Sequence, residues 1–309
     1  MTRTTYAALL LVAVGSVADG SSAQQGLERL ILSVRTDLVR LSVTVVDRHG
    51  AVVTGLHREH FTVYDSGEPR TIQLFTSEEL PATVGLIVDS SGSMRGRRDE
   101  MMEVTAAFAA MARPLDELFT LYFNEAVWPG LPPRLAFTAD PLQLRAAMED
   151  AVPQGTTALY DAVDRGLQHL QSGTHDRKAL IVFSDGGDNA SRHTFGDVLD
   201  RARRTTAVVY SVTLFDPDNR DERPQVLKAL TRETGGRVFT AKRLEELTRS
   251  VAEIAQEIRS GYTVGFVPPE TSESGFRPIR VVVDAGTGTQ FTARTRAGYY
   301  AERSDEPAR

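Results

Sequence analysis

Residues 84–96 read VGLIVDSSGSMRG, an apolar run that ends in Asp89 with three serines close behind it. Asp89, Ser91 and Ser93 alternate, and Gly92 is the residue that permits a tight turn between them. Two further stretches carry matching chemistry: Gly155-Thr156-Thr157, just before a helix-like segment starting at Ala158, and Ser184-Asp185-Gly186, where ALIVFSD ends. Carboxylates and hydroxyls are poor core material, so a buried strand that ends in them points to something bound there. Brought together, two carboxylates and three hydroxyls make a hard, all-oxygen site. Such a site suits Mg²⁺, Mn²⁺ or Ca²⁺ and offers nothing soft for zinc or copper. Two carboxylates balance one divalent cation. Neutral hydroxyl ligands leave that cation strongly electrophilic, and an incoming carboxylate can complete its shell.

The three stretches work together only if the fold brings them to one edge. From residue 83 on, apolar strands (83–89, 117–124, 178–185, 207–215, 237–241) alternate with amphipathic helical stretches (98–113, 140–151, 157–171, 194–204, 223–235, 243–260). That alternation predicts a mostly parallel sheet covered by helices on both faces, an α/β Rossmann-like architecture. In such sheets ligands bind beyond the carboxyl ends of the strands, where all three stretches lie. Before residue 80 and after residue 261 the period changes to two. Val39, Leu41, Val43 and Val45 share one face, and RPIRVVVDAG and QFTARTRAGYY repeat the pattern near the C-terminus. Each of these segments is too small to close a core alone. We therefore expect one β-sandwich, built from N- and C-terminal strands, with the α/β domain inserted in it. The expected division is 24–80 and 261–303 for the sandwich, 81–260 for the insert and 304–309 for a polar, disordered tail.

The chain has 309 residues, a net charge of −6 and no cysteine. The charge leaves no footprint for nucleic acid, and the missing cysteine excludes disulfides, thiolate metal sites and thiol catalysis. Residues 1–23 carry an arginine, an apolar run from Tyr6 to Val14 and small residues ending at Ala23. That is the pattern of a secretory signal peptide, with no transmembrane segment expected in the mature chain. The expected location is periplasmic or secreted.

DSSGSM resembles the Asp-x-Ser-x-Ser motif of the von Willebrand factor type A domain, GTTALYDAV its threonine loop and VFSDGGDN its aspartate-glycine loop. The resemblance covers about residues 82–260. It implies a metal-ion-dependent adhesion site formed by Asp89, Ser91, Ser93, Thr157 and Asp185. The hydroxyls would contact the metal, and the aspartates would act directly or through water. Members of the family commonly have Gly-Gly-Thr where this chain has Gly155-Thr156-Thr157. Thr156 and Thr157 are thus both open as the ligand, with Thr157 favoured because it directly precedes ALYDA. The flanking strands are similar to an uncharacterised family of exported, von Willebrand A-related bacterial proteins first grouped from Acidobacteria.

The blander reading of Asp89 and Asp185 is helix N-capping at strand-to-helix turns. Asp188 reads as a solvated turn residue, and the six histidines show no metal-ligand spacing. Trp128 is expected in a loop near the same sheet edge. Enzyme signatures are missing: no Gly-x-Ser-x-Gly elbow, no phosphate-binding glycine loop, and Ser91 where a dehalogenase-type phosphatase would want an aspartate. The function expected is non-enzymatic: an exported protein whose Mg²⁺ (or Mn²⁺ or Ca²⁺) site recognises an Asp or Glu carboxylate of a protein partner. The alternatives are a metal-dependent, phosphatase-like hydrolase and a scaffold with a degenerate site.

Overall fold

A computed structural model describes residues 38–149, 153–214, 223–241, 243–269, 274–286 and 288–301. The expected signal peptide and polar tail lie outside the described residues. Four strands come first: β1 (Val39–Val46), β2 (Phe61–Asp65), β3 (Glu68–Arg70) and β4 (Ile72–Thr76). The α/β part follows as β5 (Ala82–Asp89), α1 (Arg98–Ala110), β6 (Glu117–Phe123), β7 (Val127–Pro129), α2 (Pro141–Glu149), α3 (Leu159–Gln171) and β8 (Arg177–Phe183). It continues through α4 (Phe195–Arg204), β9 (Val208–Leu214), α5 (Pro224–Thr234), β10 (Val238–Ala241) and α6 (Leu244–Ser260). The chain then returns to antiparallel strands, β11 (Tyr262–Phe266), β12 (Gly275–Val283), β13 (Thr292–Arg294) and β14 (Gly298–Ala301).

The central sheet has the order β10-β9-β8-β5-β6-β7, parallel except for β7. All eight residues of β5 are buried, so both faces of this strand are covered. Helices α1, α2 and α6 pack together, and so do α3, α4 and α5. Helix α3 shows why the sequence folds this way: Leu159, Ala162, Val163, Gly166, Leu167 and Leu170 form one buried stripe at helical spacing. Successive strands run from β5 to β6 on one side and from β8 to β9 and β10 on the other. The reversal leaves a crevice at the carboxyl ends of β5 and β8.

The remaining strands form two four-stranded sheets, β13-β1-β11-β4 and β14-β12-β2-β3. Leu41, Val43 and Val264 of the first sheet and Phe61, Val63 and Val281 of the second share one buried cluster, which makes the pair a sandwich. N- and C-terminal strands are interleaved in it: Val43 faces Tyr262 across the β1–β11 ladder, and Val63 faces Val281 across β2–β12. The insert leaves the sandwich from β4 and re-enters at β11, and these two strands are antiparallel neighbours with Thr76 opposite Thr263. Gly261 alone separates α6 from β11.

The junction is polar and closed. Arg177, at the start of β8, donates to the carbonyl oxygens of Ile258 (3.0 Å), Arg259 (2.5 Å) and Gly261 (2.8 Å), satisfying the end of α6. Glu257 is fully buried and is shared by Arg237 of the insert (3.0 Å) and Arg294 of the sandwich (2.8 Å). No helix among the described residues is long and apolar enough to cross a membrane.

Candidate metal-binding site

Asp89 closes β5 and is 3% exposed. Its Oδ1 accepts the Ser91 amide (2.9 Å) and its Oδ2 accepts the Ser184 hydroxyl (2.8 Å), which ties the ends of β5 and β8 together. Ser91 Oγ lies 3.1 Å from Ser93 Oγ, and Ser93 Oγ reaches Asp185 Oδ2 at 3.5 Å. Asp185 in turn accepts the Gly187 amide at 2.9 Å. Burial, with the Asp185 charge adding to it, pushes the Asp89 carboxyl up to about 6 against the opposing hydrogen bonds from Ser91 and Ser184. Asp89, Ser91 and Asp185 are buried, while Ser93 stands at the exposed rim.

Neither aspartate caps a helix. Each accepts the amide two residues on, and the helices begin later. Helix α1 starts at Arg98 after the short 3-10 turn Gly92–Arg97, and α4 is capped by Thr194 in a reciprocal box with Asp197. The capping reading of Asp89 and Asp185 fails for that reason.

The threonine loop is laced to both other loops. Gly92 donates to the Gly155 carbonyl (3.1 Å), and Gln154 donates to the Ser90 carbonyl (3.0 Å). On the other side, Thr157 donates to Asn189 Oδ1 (2.8 Å), and its own carbonyl accepts from Asn189 (2.9 Å) and Ala190 (3.1 Å). Thr157 is buried and Thr156 is exposed. Gly155 has a φ of +75°, and a Cβ there would lie 1.7 Å from Glu125 Oε2. The backbone angle favours glycine at this position, and a larger residue would also have to displace the exposed Glu125 carboxylate. Gly92 differs from its expected role: its φ is not left-handed, and it serves by close approach, since a Cβ would meet the Gly155 carbonyl at 3.2 Å.

Sequence reasoning misread Asp188 and Trp128 and passed over Asn189. Asp188 is no free turn residue: its Oδ2 accepts the Tyr160 amide (3.0 Å) and the Ser191 hydroxyl (2.6 Å), so it caps α3 from another loop. Asn189 holds Thr157 in place, and nothing local in the sequence signals that role. Trp128 lies on the short edge strand β7 opposite Tyr122, with ring centroids 6.2 Å apart, and is half-buried there. The prolines around it favour a loop reading, but Pro129 is tolerated because β7 is an edge.

Among the described residues no group of three or more His, Asp or Glu side chains is arranged so that it could hold a metal ion. Two carboxylates with surrounding hydroxyls are therefore the acidic donor set that this crevice offers. That set fits a hard divalent cation: the carboxylates crowd each other when unneutralised, and oxygen donors alone surround them.

No protein-family model matches the sequence, and no curated protein matches it either. Several solved structures are similar to it over part of their length or more. The von Willebrand factor type A protein from Catenulispora acidiphila is 12% identical, with a TM-score of 0.52 over 86% of this chain and 76% of that one. The BatB protein from Bacteroides thetaiotaomicron is 14% identical, with a TM-score of 0.46 over 58% of this chain and 100% of its own. The von Willebrand domain of the type V pili tip protein Mfa5 from Porphyromonas gingivalis is 13% identical, with a TM-score of 0.48 over 58% and 95%. With the strand order, the crevice and the first of these likenesses in agreement, the inserted α/β unit has the fold of a von Willebrand factor type A domain.

Proposed function

We propose that this is an exported, non-enzymatic binding protein. It holds Mg²⁺, or Mn²⁺ or Ca²⁺, through Asp89, Ser91, Ser93, Thr157 and Asp185 and recognises a carboxylate of a protein partner. The observation that carries the reading is the convergence at one sheet edge of two buried carboxylates, from the ends of β5 and β8, with serine hydroxyls reaching the rim. Burial favours Thr157 over Thr156 as the threonine ligand. The cation would supply an electrophile at the rim. Ser184, Asn189 and the Gly92–Gly155 contact tie the three loops to one another, which supports a common site.

Calorimetry with Mg²⁺ and Mn²⁺ tests the site directly. At a metal concentration 100 times Kd, binding stabilises the folded state by about 2.7 kcal/mol. That corresponds to a rise of about 4–5 °C in the thermal midpoint for a chain of this size unfolding as one unit. Neither heat nor a shift at millimolar metal would show that the site is degenerate. Asp185→Ala is expected to weaken metal binding at least about tenfold while leaving the metal-free protein no less stable, because the repulsion with Asp89 is relieved. Marked unfolding of metal-free Asp185→Ala would instead make Asp185 a structural residue. Partner capture from envelope fractions should require the metal and disappear with EDTA. Turnover of a generic phosphoester that depends on the same metal would favour a hydrolase over the binding reading.

A further inference from the structure

A second concave site lies away from the metal crevice, where the end of α5 and the start of β10 face β12 and the segment from β13 to β14. It is a cleft of about 490 Å³ whose wall carries Lys228, Arg232, Arg237, Arg280, Arg294 and Arg296 and no Asp or Glu. For a chain of net charge −6 this is a pronounced local excess of positive charge.

Two layers can be distinguished. The inner layer is built in. Arg237 is held by Glu253 (2.7 Å) and Glu257, and Arg294 by the same Glu257. Arg296 donates to the carbonyl oxygens of Gly298 (2.6 Å) and Arg203, and burial pushes its guanidinium down to about 10. The cleft's geometry is fixed by Gly235, whose φ of +86° ends α5 and whose missing Cβ lets the backbone of Thr295 approach within 2.5 Å of where that atom would be. Three guanidinium groups thus face two carboxylates, Glu253 and Glu257, because Arg296 bonds carbonyl oxygens alone. Arg294 Nε and Nη1 and Thr295 Oγ1 are buried there with no hydrogen-bond partner among the described residues.

The outer layer is Lys228, Arg232 and Arg280, all exposed. Among the described residues none of the three makes an ion pair. The Arg280 guanidinium lies over the Tyr64 ring, 4.3 Å from its centroid, and lines the cleft. A concave wall of one sign focuses its field and raises the local concentration of the opposite charge. Guanidinium forks match oxyanion geometry with paired hydrogen bonds. The volume exceeds what an inorganic ion fills and falls within the range of small-molecule pockets, roughly 300–1,000 Å³.

We infer that this cleft binds a compact, sugar-sized molecule bearing several phosphate or sulfate groups, with Lys228, Arg232 and Arg280 as the recognising residues. The blander account is that these cations only offset the negative C-terminal end of α5. That account predicts no ligand, so experiment separates the two.

The test is calorimetry on the full-length protein with two probes, inositol hexakisphosphate and sucrose octasulfate, in EDTA so that no divalent metal bridges the anion to Asp89 and Asp185. The expected result is one-to-one binding of at least one probe, weakened by added salt. The difference between the probes tells a phosphate from a sulfate preference. Replacing the three outer residues together (Lys228→Ala, Arg232→Ala, Arg280→Ala) should weaken binding at least about tenfold. The charge reversal Arg232→Glu serves as an independent second variant. Absence of binding by both probes, or undiminished binding by both variants, overturns the proposal.

Discussion

A chain ending at Ser260 is expected to be insoluble or partly unfolded when it begins at Gln24, and soluble and folded when it begins near Ala82. The truncation removes β11, which pairs with both β1 and β4, and β12, which pairs with β2. It also strips Tyr262, Val264, Phe266, Val281, Val283 and Tyr299 from the core that Leu41, Val43, Phe61 and Val63 share with them. Each such side chain contributes about 1.5–3 kcal/mol when buried. Their joint loss is therefore comparable to the whole stability of a domain, about 5–15 kcal/mol. The N-terminal strands would be left with an open edge and an uncovered apolar face, a combination that aggregates. The insert alone keeps its sheet and all six helices. Its main loss is Arg294, and Glu257 would then be solvated with Arg237 still at its side. Circular dichroism and limited proteolysis on the two fragments decide the matter. A soluble, protease-resistant 24–260 fragment would show that the N-terminal strands fold independently, against the interleaved sandwich.

Asp65→Ala is expected to destabilise the sandwich by about 2–4 kcal/mol, because it leaves the half-buried Arg277 guanidinium without its carboxylate. Asp65 is fully buried at the end of β2, and its two oxygens accept Arg277 Nε (2.8 Å) and Nη2 (2.9 Å) from β12. Arg70 of β3 lies 3.4 Å away, and the Tyr299 hydroxyl of β14 donates to the same carboxylate at 3.4 Å. One carboxylate thus serves all four strands of the second sheet, so its removal leaves Arg277 largely uncompensated. Urea titration of the variant measures the loss. The double variant Asp65→Val with Arg277→Met should recover much of it, because both charges go and apolar volume returns. An Asp65→Ala protein within about 1 kcal/mol of the parent would mean that water already screens the group.

Apart from the short edge strand β7, the strands and helices of the insert were legible because continuous apolar runs and amphipathic stripes alternate from Ala82 to Ser260. The sandwich was legible for a different reason. Neither flanking segment could cover its own apolar face, so the two had to meet. In the site, the local motifs Asp89-x-Ser91-x-Ser93 and Ser184-Asp185 could be read directly, because each sits at the end of a recognisable strand. What supports them could not. Asp188 bonds a helix start far back in the chain, and Asn189 bonds Thr157 across the crevice. Short polar residues in a Gly-rich turn look alike whether they face water or hold another loop. Glu125 is a further case, since only the fold shows its carboxylate against Gly155 and the Thr156 amide. The basic cleft was invisible for the same reason. Lys228, Arg232, Arg280 and Arg294 are scattered along the chain and meet only when α5 is laid against β12 and β13.

The adjacency of β4 and β11 also settles how the two parts share mechanical load. Two antiparallel neighbours normally join through a tight turn, and here the entire α/β unit takes the place of that turn. Val39 and Ala301 both belong to the sandwich. A pull applied between them is therefore carried by the sandwich strands, and the β4–β11 ladder passes it across the base of the insert. The inserted unit sits on a closed side branch, outside the line of tension, and its crevice keeps its shape for as long as that ladder holds.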